Sequence, residues 1–313
     1  FIRSVKLESG DLPPVLDIEV SLGATMIVVL GVMDDIMALN ALPKLIVQIL
    51  AAGIAVYHGC VIQFVSNPNV FSSMTYLNLG WWSYPITIIW IVAITNAVNL
   101  IDGLDGLAVG VSAISTASIT VIALMVAETN VAVVLAALFG ACLGFIPYNM
   151  NPAKIFMGDT GATFLGYILA TLSVTGLFKM YAIISFAVPF LILGVPIFDI
   201  CFAFLRRIAK GQNPMKADRG HVHHRLIDMG FSQKQAVAIS YMLAGILGLA
   251  AVLLTSSGEL KALILIGAIF VVGAIGMRAI FGAKEPTQEQ KSEQPNQPED
   301  ASSASQEEKH AEN

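Results

Sequence analysis

Long apolar segments constrain this chain more than any other feature of its sequence. Nine runs of roughly 20 residues each occur at 18–33, 44–58, 84–99, 107–127, 131–149, 160–178, 181–204, 236–256 and 260–281. Runs of that length can cross a bilayer, and in lipid a crossing segment must satisfy its own backbone hydrogen bonds as a helix. With 56% hydrophobic and 12% charged residues, the sequence predicts an all-α polytopic membrane protein of about nine transmembrane helices.

The charges between these runs fall on one side of the predicted membrane. One set of loops, at 34–43, 100–106, 150–159 and 205–235, holds or adjoins Lys44, Lys154, Arg206, Arg207, Lys210, Lys216, Arg219, Arg225 and Lys234. By the positive-inside rule this set is cytoplasmic. Most of the aspartates outside the termini lie on the same side. A transporter is expected to place polar groups near the midplane, so this asymmetry favours an enzyme that works at the inner surface.

Composition divides the chain into three predicted parts. Residues 1–17 form a segment outside the cytoplasm, and residues 18–282 form the transmembrane catalytic domain. Residues 283–313 contain 8 acids and 3 bases, which accounts for the whole net charge of -5. This last segment lacks apolar residues to bury, which predicts a disordered acidic tail on the cytoplasmic side.

Acids and amides recur at three-residue steps directly after the third apolar run. Asn96, Asn99, Asp102 and Asp105 follow one another at the spacing that makes side chains neighbours on a helix face. Glycines at 103 and 106 suit a tight turn or a close approach of backbone to a ligand. Such groups are costly within a bilayer, but at its edge they can hold a metal ion.

A second acidic element follows the first apolar run. Asp34 and Asp35 are adjacent, and Lys44 lies ten residues beyond the first of them. Paired carboxylates repel, so one of them tends to have a raised pKa unless a cation lies nearby. Such a pair suits a metal ligand or a general base. The alternative is that two solvated acids simply end a span.

Two further elements complete the cytoplasmic set. Gly158-Asp159-Thr160-Gly161 opens an apolar run, where backbone N–H groups can face an anion and the carboxylate a cation. The segment from His221 to Arg225 holds three histidines within four residues. A zinc site would need further ligands at a suitable spacing. The nearby basic residues instead favour phosphate binding by charge and bidentate hydrogen bonds. A purely topogenic role for these basic residues is the alternative.

Together these elements predict a Mg²⁺-dependent phospho-transfer enzyme that acts on a membrane lipid. Mg²⁺ prefers one or two carboxylates together with waters and substrate phosphates. Phosphoryl transfer depends mainly on positioning and charge neutralisation. A transporter and an inactive membrane protein are the rival classes.

The same motifs resemble the polyprenyl-phosphate N-acetylhexosamine-1-phosphate transferases over about residues 20–280. The matching segments are Asp34-Asp35 with Lys44, the Asn96–Gly106 run, Pro152-Ala-Lys-Ile-Phe-Met-Gly-Asp159-Thr-Gly, Pro196-Ile-Phe-Asp199 and His221-Val-His-His-Arg225. The resemblance implies ten or eleven helices and an active-site cleft on the cytoplasmic face. It also implies transfer of a sugar 1-phosphate from a UDP-sugar to undecaprenyl phosphate, with release of UMP.

The resemblance implies a role for each site residue. Mg²⁺, for which Mn²⁺ can substitute, would be bound by Asp159 with Asn99. Asp34 would deprotonate the lipid phosphate and Lys44 would neutralise phosphate charge, with Asp35 and Asp102 completing the catalytic set. The remaining residues would bind the donor, as a uridine pocket of Asp105, Asn149 and Phe156 and a sugar and diphosphate loop of His221, His223, His224 and Arg225.

The histidine segment resembles the N-acetylglucosamine branch of the family, which begins teichoic acids, O-antigens and related surface polymers. The expected partners are UDP-N-acetylglucosamine, undecaprenyl phosphate and the bilayer of a bacterial plasma membrane. Nucleic acid is not expected, and a homodimer is left open. The alternative within the family is the phospho-MurNAc-pentapeptide transferase of peptidoglycan synthesis.

One departure from the family concerns the start of the chain. The family carries two more spans before residue 18, with a loop bearing Arg-Lys-x-His and Pro-Arg-x-Gly-Gly motifs. Residues 1–17 have no counterpart to them. We therefore expect that the chain beginning at Phe1 is truncated and inactive or nearly so, and that two upstream spans with their connecting loop restore transfer.

Overall fold

The computed structural model describes residues 18–66, 76–178, 187–209, 211 and 221–256. These residues form ten α-helices and one short antiparallel hairpin. The predicted segments 1–17 and 283–313 and the predicted span 260–281 lie outside the described residues. The described part of the chain is mostly helical, as the sequence predicts, and five of the described helices are long and apolar enough to cross a membrane.

The helices follow the apolar runs closely. Their bounds are α1 Ile18–Met37, α2 Ala41–Tyr57, α3 Ser83–Ile101, α4 Leu107–Met125, α5 Thr129–Asn149, α6 Gly158–Gly176, α7 Ala187–Ile192, α8 Gly194–Ala209, α9 Val222–Asp228 and α10 Gln233–Ser256. Between α2 and α3, strands β1 (Phe64–Ser66) and β2 (Tyr76–Asn78) pair in an antiparallel register with Val65 opposite Leu77. The apolar pattern does not predict this hairpin.

Helix α6 forms the centre of the bundle. It packs against α1, α3, α4 and α5, and most of its residues are buried. Gly166 allows the close approach to α3, because a Cβ there would lie 2.7 Å from Cα of Thr95. Since α6 contacts protein on several sides, it tolerates more glycine and hydroxyl residues than a lipid-facing helix, and it is not among the five apolar spans.

The predicted span 181–204 is interrupted in its described part. Helix α7 ends at Ile192 and α8 begins at Gly194. Pro196 has no N–H to donate to the carbonyl of Ile192, four residues earlier. The hydroxyl of Ser115 donates to that carbonyl instead, at 2.9 Å. The proline therefore explains the break, and α4 supplies the hydrogen bond that the broken helix lacks.

Candidate active site at the acidic helix ends

Six helix ends meet at one end of the bundle and carry nearly all of the acids that the sequence singles out. They are the C-terminal ends of α1, α3 and α5 and the N-terminal ends of α2, α4 and α6. Asp34 and Asp35 lie in the last turn of α1, because α1 continues beyond the apolar run, to Met37. The hairpin of β1 and β2 follows the other end of α2, away from the acids.

One lysine bridges two carboxylates at this site. The ammonium of Lys44 donates to Oδ2 of Asp34 at 2.5 Å and lies 3.4 Å from Oδ2 of Asp159. Asp34 is buried, and its Oδ1 also accepts the backbone N–H of Leu39 at 2.8 Å. The side chain of Asp159 is 36% exposed. Asp159 therefore keeps an accessible carboxylate, whereas Asp34 is held between fixed donors.

Asp35 has different partners from Asp34. Its carboxylate accepts the backbone N–H groups of Asp159 at 2.8 Å and Thr160 at 3.1 Å, and the Thr160 hydroxyl at 2.5 Å. Gly158 has φ of +66°, and a Cβ there would lie 2.7 Å from Asp35. Asp35 thus caps α6 from another helix and fixes the turn that presents Asp159. Its predicted catalytic role stays a prediction, and the contacts observed are positional.

The Asn96–Asp105 run divides into a structural part and an open part. The amide of Asn96 pairs with that of Gln48 on α2, with the shorter hydrogen bond at 2.7 Å. Among the described residues, the side chains of Asn99 and Asp102 make no hydrogen bond. Burial, together with nearby carboxylates of which Asp159 is the strongest, raises the pKa of Asp102 to about 7. Such crowding of carboxylates favours a bound cation.

Hydrogen bonds hold the turn after Asp102 to the end of α5. Asp105 accepts the side-chain amide of Asn151 at 3.0 Å and the N–H of Ala153 at 3.1 Å. Asn149 is buried, accepts the N–H of Gly106 at 3.1 Å and donates to a backbone carbonyl at 2.9 Å. Phe156 is 74% exposed beside them. Hydrogen bonds therefore hold the side chains of Asp105 and Asn149 in place, whereas the ring of Phe156 is exposed to a ligand.

The histidine segment is anchored by a buried aspartate of α8. Asp199 lies 2.7 Å from Nδ1 of His221 and accepts the N–H of Val222 at 2.7 Å. His221 stacks on His223, whose ring lies so close to Gly103 that a Cβ there would be 2.5 Å from Nε2. Burial lowers the pKa of His223 to about 4, so this ring is neutral at pH 7. The segment therefore reaches the acidic turn, residues 102–106, which joins α3 to α4 and carries Asp102 and Asp105.

The outer members of the segment are less enclosed. The ring of His224 lies 4.4 Å from that of His223, and the Arg225 guanidinium lies 5.8 Å from the Phe202 ring. Within the parts of the chain that the structure describes, no three His, Cys, Asp or Glu side chains converge to hold a metal by themselves. An ion at Asp159 and Asn99 would thus need substrate oxygens or waters as further ligands. Mg²⁺ commonly binds proteins in this way.

Replacing Asp199 with asparagine should loosen helix α9. The amide keeps the shape of the side chain but can no longer accept with both of its terminal atoms, so a buried donor loses its partner. We expect a loss of about 1–3 kcal/mol in the free energy of unfolding, measured as a lower thermal midpoint in detergent. Asp228→Asn removes the same charge at the exposed end of α9 and should change stability by less than about 0.5 kcal/mol. Equal midpoints for the two variants would contradict this.

Sequence reasoning missed several supporting residues. The sequence shows the Pro196-Ile-Phe-Asp199 motif but does not predict that Asp199 pairs with His221. The sequence also does not predict that Tyr241 of α10 contacts Gly106, or that Gln233 of α10 contacts Asn151. A single acid inside an otherwise apolar helix was the available signal for Asp199, because buried carboxylates need partners. No comparable signal marks the two α10 residues.

Comparison with known proteins gives consistent matches. The family model described as glycosyl transferase family 4 matches residues 18–177, just over half of the chain. A probable undecaprenyl-phosphate N-acetylglucosaminyl 1-phosphate transferase of Bacillus subtilis is 43% identical over 238 residues, covering 76% of this chain and 66% of that protein. A decaprenyl-phosphate N-acetylglucosaminephosphotransferase of Mycolicibacterium smegmatis is 34% identical over 257 residues, covering 72% and 60%.

A third relative represents the alternative donor. A phospho-N-acetylmuramoyl-pentapeptide-transferase of Desulforudis audaxviator is 35% identical over 243 residues, covering 71% of this chain and 70% of that protein. The chain spans 66% and 60% of the lengths of the first two relatives, which is less than two thirds.

Proposed function

The chain belongs to glycosyl transferase family 4, and on that basis we propose that it transfers N-acetylglucosamine 1-phosphate from UDP-N-acetylglucosamine to undecaprenyl phosphate, releasing UMP. The observation that carries the proposal is the lysine that joins the carboxylates of Asp34 and Asp159. Two phosphate-bearing substrates must meet for this reaction, and a lone cation between two acids can neutralise charge on either side.

The lipid acceptor fits the α1 side of the site. Ile36, Met37 and Leu42 are exposed, at 77%, 61% and 67%, around the buried carboxylate of Asp34. Exposed apolar side chains at the ends of spans can face lipid, so an isoprenoid phosphate can approach Asp34 from the bilayer. Asp34 then takes the proton of the phosphate, and Lys44 holds the resulting charge.

The donor fits the opposite side of Lys44. Asp159 and Asn99 would hold Mg²⁺, or Mn²⁺ in its place, which when bound neutralises the diphosphate and its leaving group. The uridine lies at Asp105, Asn149 and Phe156, and the sugar and diphosphate face the histidine segment. An oxygen of the lipid phosphate attacks the β-phosphorus. The bond from that phosphorus to the bridging oxygen breaks, and the electron pair leaves with UMP.

We place this reaction at the cytoplasmic face of a bacterial plasma membrane, because the basic loops adjoin the acidic helix ends. The test follows UMP release from labelled UDP-N-acetylglucosamine and undecaprenyl phosphate, with and without Mg²⁺. It uses the 313-residue chain and, in parallel, a form extended upstream to the length of its relatives. Release that needs the lipid and the metal supports the proposal. If both forms bind the nucleotide sugar but neither transfers, the proposal is wrong.

Sugar choice separates this function from the pentapeptide transferase. UDP-N-acetylglucosamine should be used at least about 10²-fold better, in kcat/KM, than UDP-MurNAc-pentapeptide, because discrimination of that size needs only about 3 kcal/mol of differential contact. We expect the preference for UDP-N-acetylglucosamine because of the His221–Arg225 segment and the 43% identity to the Bacillus subtilis relative. A competition assay with both donors measures the ratio. Preference for the pentapeptide donor would reverse the assignment.

A further inference from the structure

Helix α10 presents one face to the start of α4. Gln233, Val237 and Tyr241 follow one another at four-residue steps, so they lie on one side of the helix. Val237 packs in the same apolar cluster as Leu107 and Ala108 of α4. This face lies outside residues 18–177, the part that the family model matches. Of its polar side chains, Tyr241 contacts the acidic turn directly, and Gln233 contacts Asn151, which donates to Asp105.

Tyr241 holds the backbone of that turn. Its hydroxyl donates to the carbonyl of Gly106 at 2.5 Å, while Asn149 accepts the N–H of the same residue. Gly106 has φ of +82°, a conformation that glycine adopts readily. The ring of Tyr241 fills the space beside Gly110, where a Cβ would lie 2.0 Å from Cζ of the ring. Side chains of two different helices thus fix both backbone polar groups of Gly106.

Gln233 supports the carboxylate next to Gly106. Its Oε1 accepts from Nδ2 of Asn151 at 2.7 Å, and the same nitrogen lies 3.0 Å from Oδ2 of Asp105. The α10 face therefore acts on Asp105 through Asn151 and on Gly106 directly. Among the described residues, the end of α5 and the loop after it also hydrogen-bond this pair, through Asn149 to Gly106 and through Asn151 and Ala153 to Asp105.

We propose that Gln233 and Tyr241 are positioning residues that set the affinity for the uridine part of the donor by fixing the Asp105–Gly106 turn. This inference rests on the proposed function, which places the uridine at Asp105 and Asn149. Neither α10 side chain touches the reacting phosphates, so the effect is confined to donor binding. A turn that is already ordered loses less conformational entropy when it binds its ligand.

The test is Tyr241→Phe, which keeps the ring beside Gly110 and removes only the hydroxyl. We expect KM for UDP-N-acetylglucosamine and the inhibition constant of UMP to rise by about 3- to 10-fold, the ratio that one lost hydrogen bond gives. The kcat and the KM for undecaprenyl phosphate should stay within about 2-fold. Ser240→Ala is the matched control, because it deletes a buried hydroxyl on the same helix that bonds only within α10.

A second variant, Gln233→Leu, tests the same turn from the half-buried start of α10, where folding is little affected. It should raise the donor KM in the same direction. An unchanged donor KM in both variants, or an equal rise for donor and lipid, would overturn the inference. The variants are made in whichever form transfers, the 313-residue chain or the form extended upstream to the length of its relatives. If that parent transfers and both variants keep its donor KM, the inference alone is wrong. If neither form transfers, although both bind the nucleotide sugar, the proposed function itself is wrong.

Discussion

Asp159→Asn should reduce transfer by about 10²- to 10³-fold or more while the protein stays folded in the membrane. The amide keeps the size of the side chain. Asp35 caps α6 through the backbone N–H of residue 159, not through its side chain, so α6 should begin in the same place. What is lost is the negative charge that would bind Mg²⁺ against the diphosphate, a contribution of several kcal/mol. UMP release at saturating substrates measures the effect.

A binding experiment separates this loss from a folding defect. Mn²⁺ titration in the presence of UDP-N-acetylglucosamine should show weaker binding to Asp159→Asn. Asp228→Asn, which removes an exposed carboxylate from α9, should bind and react like the parent. Turnover of Asp159→Asn within a few-fold of the parent would mean that Asp159 is not the metal ligand.

Asp34→Asn should lower kcat by about 10²- to 10⁴-fold, the usual range for a lost general base. Asp34 is buried beside Lys44, and its carboxylate is the candidate proton acceptor for the lipid phosphate. The amide cannot take a proton, but in the proposed reaction the donor nucleotide binds on the other side of Lys44. The KM for UDP-N-acetylglucosamine should therefore change by less than about 3-fold.

Initial rates with each substrate varied in turn decide the point. The control is Gln48→Leu, which removes the amide partner of Asn96 one turn of α2 beyond Lys44. It should affect stability more than kcat. A largely intact kcat with a weakened donor KM in Asp34→Asn would place Asp34 in the donor site instead.

Much of the helical framework follows from local sequence, because lipid forces apolar runs to be helical. The runs 107–127 and 131–149 correspond to α4, Leu107–Met125, and α5, Thr129–Asn149. The run 18–33 ends before its helix does. Asp34 and Asp35 stay helical since Lys44 and the first turn of α6 supply their partners, and such partners cannot be read from hydropathy.

The site itself depends on long-range pairing. Their adjacency in the sequence predicts that Asp34 and Asp35 act as a pair. In the structure they have different partners: Asp34 contacts Lys44, and Asp35 contacts the start of α6. Spacing along the chain likewise places Asn96 with Asn99 and Asp102, whereas Asn96 pairs with Gln48. Periodicity identifies which residues share a helix face, but it does not say which neighbour each one meets. Contacts across more than a hundred residues, such as Asp35 with Thr160, require the fold.

The enclosed position of α6 has a consequence for biosynthesis. The helices against which α6 packs most closely, α1, α3, α4 and α5, all precede it in the chain. A helix rich in glycine and hydroxyl residues is less favourable in lipid than the five apolar spans, so its favourable surroundings are helices that the ribosome has already produced. The acidic site needs Asp159 at the start of α6. It is thus completed only after α1, α3, α4 and α5 have been synthesised.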